Sequence, residues 1–135
     1  MKYIKEMGLL IFLITFITTV SVWTSSAKAY ELLMFSVSNC IYCIKFHEEV
    51  KPYYNKTIYA ETLPLIIIDN ADIPEWFKTA YDKGDIKPIR GTPTFIIFNE
   101  KSKAEVDRFV GYNGKEWFYE RVASWIEHQN AYYGQ

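Results

Sequence analysis

The chain has two cysteines, Cys40 and Cys43, two residues apart where an apolar run gives way to a helix-like stretch. Asn39-Cys40-Ile41-Tyr42-Cys43-Ile44 constrains the fold more than any other segment, because a Cys-x-x-Cys reacts best at the first turn of a helix. There the free backbone N–H groups and the positive end of the helix dipole favour the thiolate of the first cysteine. Cys40 is therefore the candidate nucleophile. Cys43, one turn further in and more buried, is the candidate resolving thiol, which attacks a mixed disulfide and releases the product. Ile41 and Tyr42 between them carry no charge, so thiolate stabilisation has to come mainly from the backbone, and their apolar surface is available to a client.

Other uses of the pair are less well matched. A purely structural disulfide closing so small a loop would contribute only about 2 kcal/mol. Structural zinc wants four ligands, and the chain adds only His47 and His128, far apart in sequence. A thiolate metal carrier could use Cys40, Cys43 and His47, which share one helix face at i, i+3 and i+7. A redox-gated binding or regulatory protein, switching its affinity for one partner without turnover, would need the same two thiols.

The 135 residues bound the chain to one folded domain with a modest core. Residues 1–29 read as an export signal. Lys2 and Lys5 precede an apolar run over residues 7–23, and Ala27-Lys28-Ala29 forms a small-x-small cleavage site, so the mature chain would start at Tyr30. The same run, about 17 residues, is just long enough to serve instead as an uncleaved anchor. Either way, residues 30–135 would lie outside the cytoplasm, where thiol pairs can be oxidised. Residues 1–29 hold three Lys and one Glu, so the remainder would carry 12 basic and 15 acidic residues. With that balance and no basic patch interleaved with aromatics, nucleic acid is not an expected partner.

The order of elements is set by local pattern. Glu31-Leu-Leu-Met-Phe35 reads as a strand feeding the loop before Cys40. From Cys40 a helical pattern puts Cys43, Phe46, His47 and Val50 on one face until Pro52 kinks or stops it. Leu63-Pro-Leu-Ile-Ile-Ile-Asp69 is almost continuously hydrophobic, the mark of a central parallel strand covered on both faces. Asp72-Ile-Pro-Glu75 predicts a capping-box start for a helix that Gly84 ends. Phe95-Ile-Ile-Phe98 and Ala104–Val110 predict a hairpin, and Asn113-Gly-Lys-Glu116 opens a last helix whose aromatic stripe is core.

This βαβαββα order, with Cys-x-x-Cys after the first strand and Arg90-Gly91-Thr92-Pro93-Thr94-Phe95 at the third, resembles the thioredoxin fold along the whole mature chain. The resemblance implies a minimal α/β thioredoxin-like fold, a central mixed sheet with helices on both faces. It also implies that Pro93 is cis beside the cysteines and that Thr92 offers backbone hydrogen bonds to a client strand. Ile41, Tyr42, Thr92 and Pro93 are thus the expected substrate-binding residues. Cys40-Ile-Tyr-Cys43, Lys51-Pro-Tyr-Tyr with Leu63-Pro-Leu, and Val110-Gly-Tyr-Asn-Gly-Lys-Glu-Trp-Phe118 resemble the small exported thioredoxins of bacterial sulfur-oxidation systems, the SoxS type. That likeness implies a periplasmic thiol reductase keeping a partner's cysteine reduced.

The chain departs from thioredoxin proper, which carries Trp-Cys-Gly-Pro-Cys and a buried acid about six residues before the first cysteine. Here those positions hold Asn39, Ile41, Tyr42 and Met34, so the usual proton acceptor for Cys43 is missing. Tyr42, and Thr92 before the proline, resemble glutaredoxins and periplasmic disulfide isomerases more closely, although no dimerisation domain accompanies them. The expectation is an exported, monomeric thiol–disulfide oxidoreductase that needs no metal or bound cofactor. Its client is a disulfide-containing protein or small thiol, and its electrons come from a membrane protein.

Overall fold

A computed structural model describes residues 29–133; residues 1–28 of the expected export segment lie outside the described residues. Strand β1, Tyr30–Ser36, is buried from Leu32 onward. Alternate side chains of a strand point to opposite faces, so Leu32 and Met34 enter one core and Leu33 and Phe35 another. Both of its edges are also occupied. It pairs in parallel with β2, Leu65–Asp69, and antiparallel with β3, Thr94–Asn99. Strand β4, Ala104–Val110, pairs antiparallel with β3, which completes a four-stranded mixed sheet in the order β2-β1-β3-β4.

Helices cover both faces, as the α/β reading requires. The first core packs the sheet against α1 (Ile41–Glu49), α2 (Lys51–Tyr54), α3 (Tyr59–Thr62) and, further along the chain, α5 (Lys115–Tyr133). The second lies under α4, Glu75–Lys83, through Phe77 and Ala80. The aromatic stripe of α5 is indeed core. Phe118 meets Phe46, Tyr54, Phe95, Phe109 and Tyr119 with ring centroids 5.0–6.1 Å apart. The Tyr54 hydroxyl, deep in this cluster, donates to the Leu63 carbonyl at 2.7 Å.

Two local expectations need correction, and one element was not anticipated. The run over residues 63–69 gives a parallel strand, but β2 lies at the sheet edge and not at its centre. Its side chains do alternate between the two cores, Leu65 and Ile67 to one and Ile66 and Ile68 to the other. A hydrophobic run reports which faces are covered and says nothing about lateral neighbours. The capping box at Asp72 does not form. Helix α4 begins at Glu75 with Pro74 as its N-cap and no side-chain cap, because Asp72 is held in a bridge to Asp69. The helical turn α3 has no counterpart in the sequence reading, since four residues carry too little periodicity to register.

Other boundaries agree with their chemistry. The first helix breaks at Val50, with φ −118° and ψ −53°, and α2 restarts with Pro52 in its first turn, where a missing N–H costs nothing. Gly84 closes α4 at φ 79°, a left-handed conformation that favours glycine.

Because Phe118 is fully buried among five rings, Phe118→Ala should lower unfolding free energy by about 3–5 kcal/mol. Val106→Ala, on the exposed side of β4, should stay within about 0.5 kcal/mol of the parent. Urea unfolding of the two variants checks this, read as a shift in midpoint at unchanged slope.

Candidate active site

The chain leaves β1 at Ser36 and reaches Cys40 through a short turn, so the sheet delivers the first cysteine to the start of α1. Cys40 is the helix N-cap. Its backbone is extended, at φ −87° and ψ 113°, and its carbonyl accepts the first helical N–H, from Ile44, at 3.0 Å. Its sulfur takes the role an oxygen plays at most caps, accepting the Cys43 N–H at 3.2 Å. One turn further on, Cys43 is buried, with 1% of its surface exposed, whereas Cys40 is only partly covered. Both are free thiols.

The two sulfurs differ in acidity. Partial burial alone would push the Cys40 thiol up. Hydrogen bonds from the Cys43 and Thr92 side chains and from the backbone N–H groups of Cys43 and Tyr42 outweigh it, so its pKa falls below the ordinary thiol value. Burial pushes the Cys43 thiol up, and hydrogen bonding to Cys40 adds to this. The Val37 backbone and the Ser36 hydroxyl act in the opposite direction without reversing it. An acidic, accessible thiol and a less acidic, buried one are the two roles that exchange chemistry requires.

The second wall of the site is the segment before β3. The Thr92–Pro93 peptide bond is cis, and the Cys40 thiol donates to the Thr92 carbonyl at 3.4 Å. Residues 52 apart in the chain thus meet at the Cys40 sulfur. The Thr94 hydroxyl donates to the Gly91 carbonyl at 2.6 Å, and the Pro93 carbonyl accepts the Gly111 N–H at 2.8 Å. Gly91 itself lies so close to β4 that a Cβ would sit 3.2 Å from Val110 Cγ1.

An ion pair on β4 holds the preceding loop. The Arg108 guanidinium pairs with the buried Glu105 carboxylate, and donates to the carbonyls of Lys87 at 2.9 Å and Pro88 at 3.1 Å. Glu105 in turn accepts the Lys87 N–H at 3.0 Å. Neither residue stands out in the sequence, where a charged pair three apart on an edge strand looks like ordinary solvated surface.

Of the residues singled out from sequence, Cys40, Cys43 and Thr92 converge, and Pro93 is buried next to them. Ile41 and Tyr42 lie on the outer side of the first turn, 58% and 52% exposed, and Ile44 extends this apolar surface. On the α4 side, a cleft of about 500 Å³ is lined by Phe35, Ile73, Phe77, Tyr81, Ile89 and Thr92 among others. His47 does not join the thiols as a metal ligand. Among the described residues no three His, Cys, Asp or Glu side chains are placed to hold a metal ion. Its Nε2 instead lies 3.2 Å from Ser36 Oγ, a serine that in the sequence is simply part of the loop approaching Cys40.

The comparisons agree with this geometry. The chain resembles the reduced periplasmic thioredoxin SoxS from Paracoccus pantotrophus, with 27% identity and a TM-score of 0.59 over 73% of this chain and 96% of that one. The Malassezia sympodialis thioredoxin Mala s 13 (17% identity, TM-score 0.55, 73% and 78% covered) shares the fold. So does the Fasciola hepatica thioredoxin (18%, 0.51, 72% and 81%). No curated protein sequence matches. A family model for the thioredoxin-like domain matches residues 22–124, and the chain belongs to the thioredoxin-like domain family.

Proposed function

We propose that this protein is an exported thiol–disulfide oxidoreductase that reduces a disulfide in a partner protein of the periplasm, with Cys40 attacking and Cys43 resolving. The observation that carries this reading is the placement of Cys40. Its sulfur caps α1, is partly open to solvent, and faces the Thr92 carbonyl with a lowered pKa. The fold and the cysteine pair support thiol–disulfide chemistry in general; the likeness to a periplasmic thioredoxin supports the compartment. Residues 1–29 would act as the export signal. Among the described residues no helix is long and apolar enough to cross a membrane, so any anchoring would fall to that segment.

In the forward direction the Cys40 thiolate attacks one sulfur of the client disulfide and expels the other as a thiol. The Cys43 thiolate then attacks Cys40 Sγ and expels the second client sulfur, leaving Cys40 and Cys43 joined and the client reduced by two electrons. A membrane protein carrying reducing equivalents outward would restore the dithiol. Ile41, Tyr42, Thr92 and Pro93 would receive the client. An apolar rim and a cleft ending at Thr92 suit a polypeptide with a hydrophobic side chain beside its disulfide better than they suit a small charged thiol. The domain would act as a monomer.

Alkylation with iodoacetamide should show Cys40 half-maximally reactive below the ordinary thiol pKa of about 8.5. In Cys40→Ser, Cys43 should react only above that value, because burial holds its proton on. A Cys43→Ser variant expressed with its own leader should accumulate a mixed disulfide through Cys40. One dominant protein partner, identified by mass spectrometry after acid quenching, would support a dedicated client. Adducts to small thiols alone would overturn that part of the proposal.

A further inference from the structure

The resolving step poses a problem for this site. Cys43 must lose a proton before it can attack, yet it is buried, and position 34, where an acid could stand, is a fully buried Met. The face of β1 that carries Leu32 and Met34 toward α1 ends, by the two-residue period of a strand, at Ser36. Ser36 is 6% exposed, and its side chain acts on the Cys43 thiol in the direction that favours the thiolate. Ser36 Oγ also lies 3.2 Å from His47 Nε2. His47 is four residues beyond Cys43, so one helical turn places it on the same side of α1. It is only partly buried and so communicates with water.

Resting on the exchange reading above, we propose that Ser36 and His47 form a proton relay that deprotonates Cys43 during resolution. The Ser36 hydroxyl proton passes to His47 Nε2 while Ser36 Oγ takes the Cys43 proton. The Cys43 sulfur, left as a thiolate, forms a bond to Cys40 Sγ, and the bond from Cys40 Sγ to the client sulfur breaks. The client sulfur leaves with the electron pair and takes up a proton from solvent, and the imidazolium returns its proton to water. In this relay Ser36 would exchange the proton with the Cys43 thiol, and His47 acts through it as a positioning residue.

The surroundings of His47 suit a base. Burial lowers its pKa, the Lys51 ammonium from α2 lowers it further, and the Asp69 carboxylate at the end of β2 opposes them. The net effect keeps the imidazole neutral and able to accept near pH 7. The ring of Phe46, next to His47 in the helix with centroids 6.3 Å apart, has no proton to exchange. For Nε2 to accept, the ring must carry its proton on Nδ1.

The test uses the reduced protein and dithiobis-nitrobenzoate, followed by stopped flow. Attack by Cys40 releases one coloured thiolate, and resolution by Cys43 releases a second. This leaving group departs without protonation, so the second phase reports deprotonation of Cys43. In the parent, its rate should fall on acidification as His47 becomes protonated. In His47→Gln and Ser36→Ala, the second phase should slow by about tenfold or more near neutrality. It should then rise steadily with pH, without the imidazole inflection, while the first phase is unchanged. Ser36→Thr, which keeps the hydroxyl, should retain the parental profile.

Second-phase rates in both variants within about twofold of the parent, with the same pH profile, would overturn the relay and leave the exchange reading intact. A loss confined to one variant, or an equal slowing of both phases, would also count against it, because the proton has to cross both groups and the first step needs neither. No release in either phase by the parent would remove the exchange reading and the relay together.

Discussion

Strand β1 has neither a solvent face nor a free edge, and the rest of the molecule is placed by that constraint. Its two rows of side chains seed two cores, and its two neighbours run in opposite senses. Each apolar side chain so enclosed is worth about 1.5–3 kcal/mol of burial, and a one-residue slip would turn every one of them to the wrong core. The strand is therefore a fixed reference for the helix that comes after it. Only Val37, Ser38 and Asn39 separate its end from Cys40, so the best-determined element of the fold sets the position of Cys40 directly.

The site is assembled from parts that differ in how they are held. Cys40 and Cys43 belong to one helical turn, and their relation is local. The Thr92 carbonyl reaches Cys40 only because β3 lies beside β1 and because the loop before it is tied to β4 by Arg108 and Glu105. Glu105 is almost wholly enclosed, and a buried carboxylate is tolerated only with its partner in place. This makes the clamp a stringent one: removing either charge would leave the other unpaired beside the loop that forms half of the candidate site. A second long-range tie, the Tyr112 hydroxyl donating to Glu49 at 2.5 Å, joins the end of α1 to the segment entering α5.

Most of the fold was legible in the sequence. The first strand, the Cys-x-x-Cys turn, the stop at Gly84, the β3-β4 hairpin and the apolar stripe of α5 all rest on signals within about ten residues, the range over which periodicity and capping operate. The edge position of β2 and the failure of the Asp72 cap were not legible, because both depend on which segments become neighbours. The same holds for the site. Cys40 and Cys43 stand out by spacing, and Thr92 and Pro93 by resemblance. Ser36, His47, Glu105 and Arg108 are ordinary residue types whose meaning comes from partners 11 to 21 positions away.

The edge position of β2 also bears on colloidal behaviour. Leu65-Ile-Ile-Ile68 is a short apolar stretch of high β-propensity with one side unpaired among the described residues, the type of segment that recruits further strands from other chains. In the native state its defences are brevity, Pro64 before it and the exposed Asp69 at its end. Those defences are sufficient only while α4 and the helices of the opposite face remain docked. During folding, or after partial unfolding in a concentrated solution, this tetrapeptide is where self-association would begin, and an added charge there would improve solubility without touching the thiols.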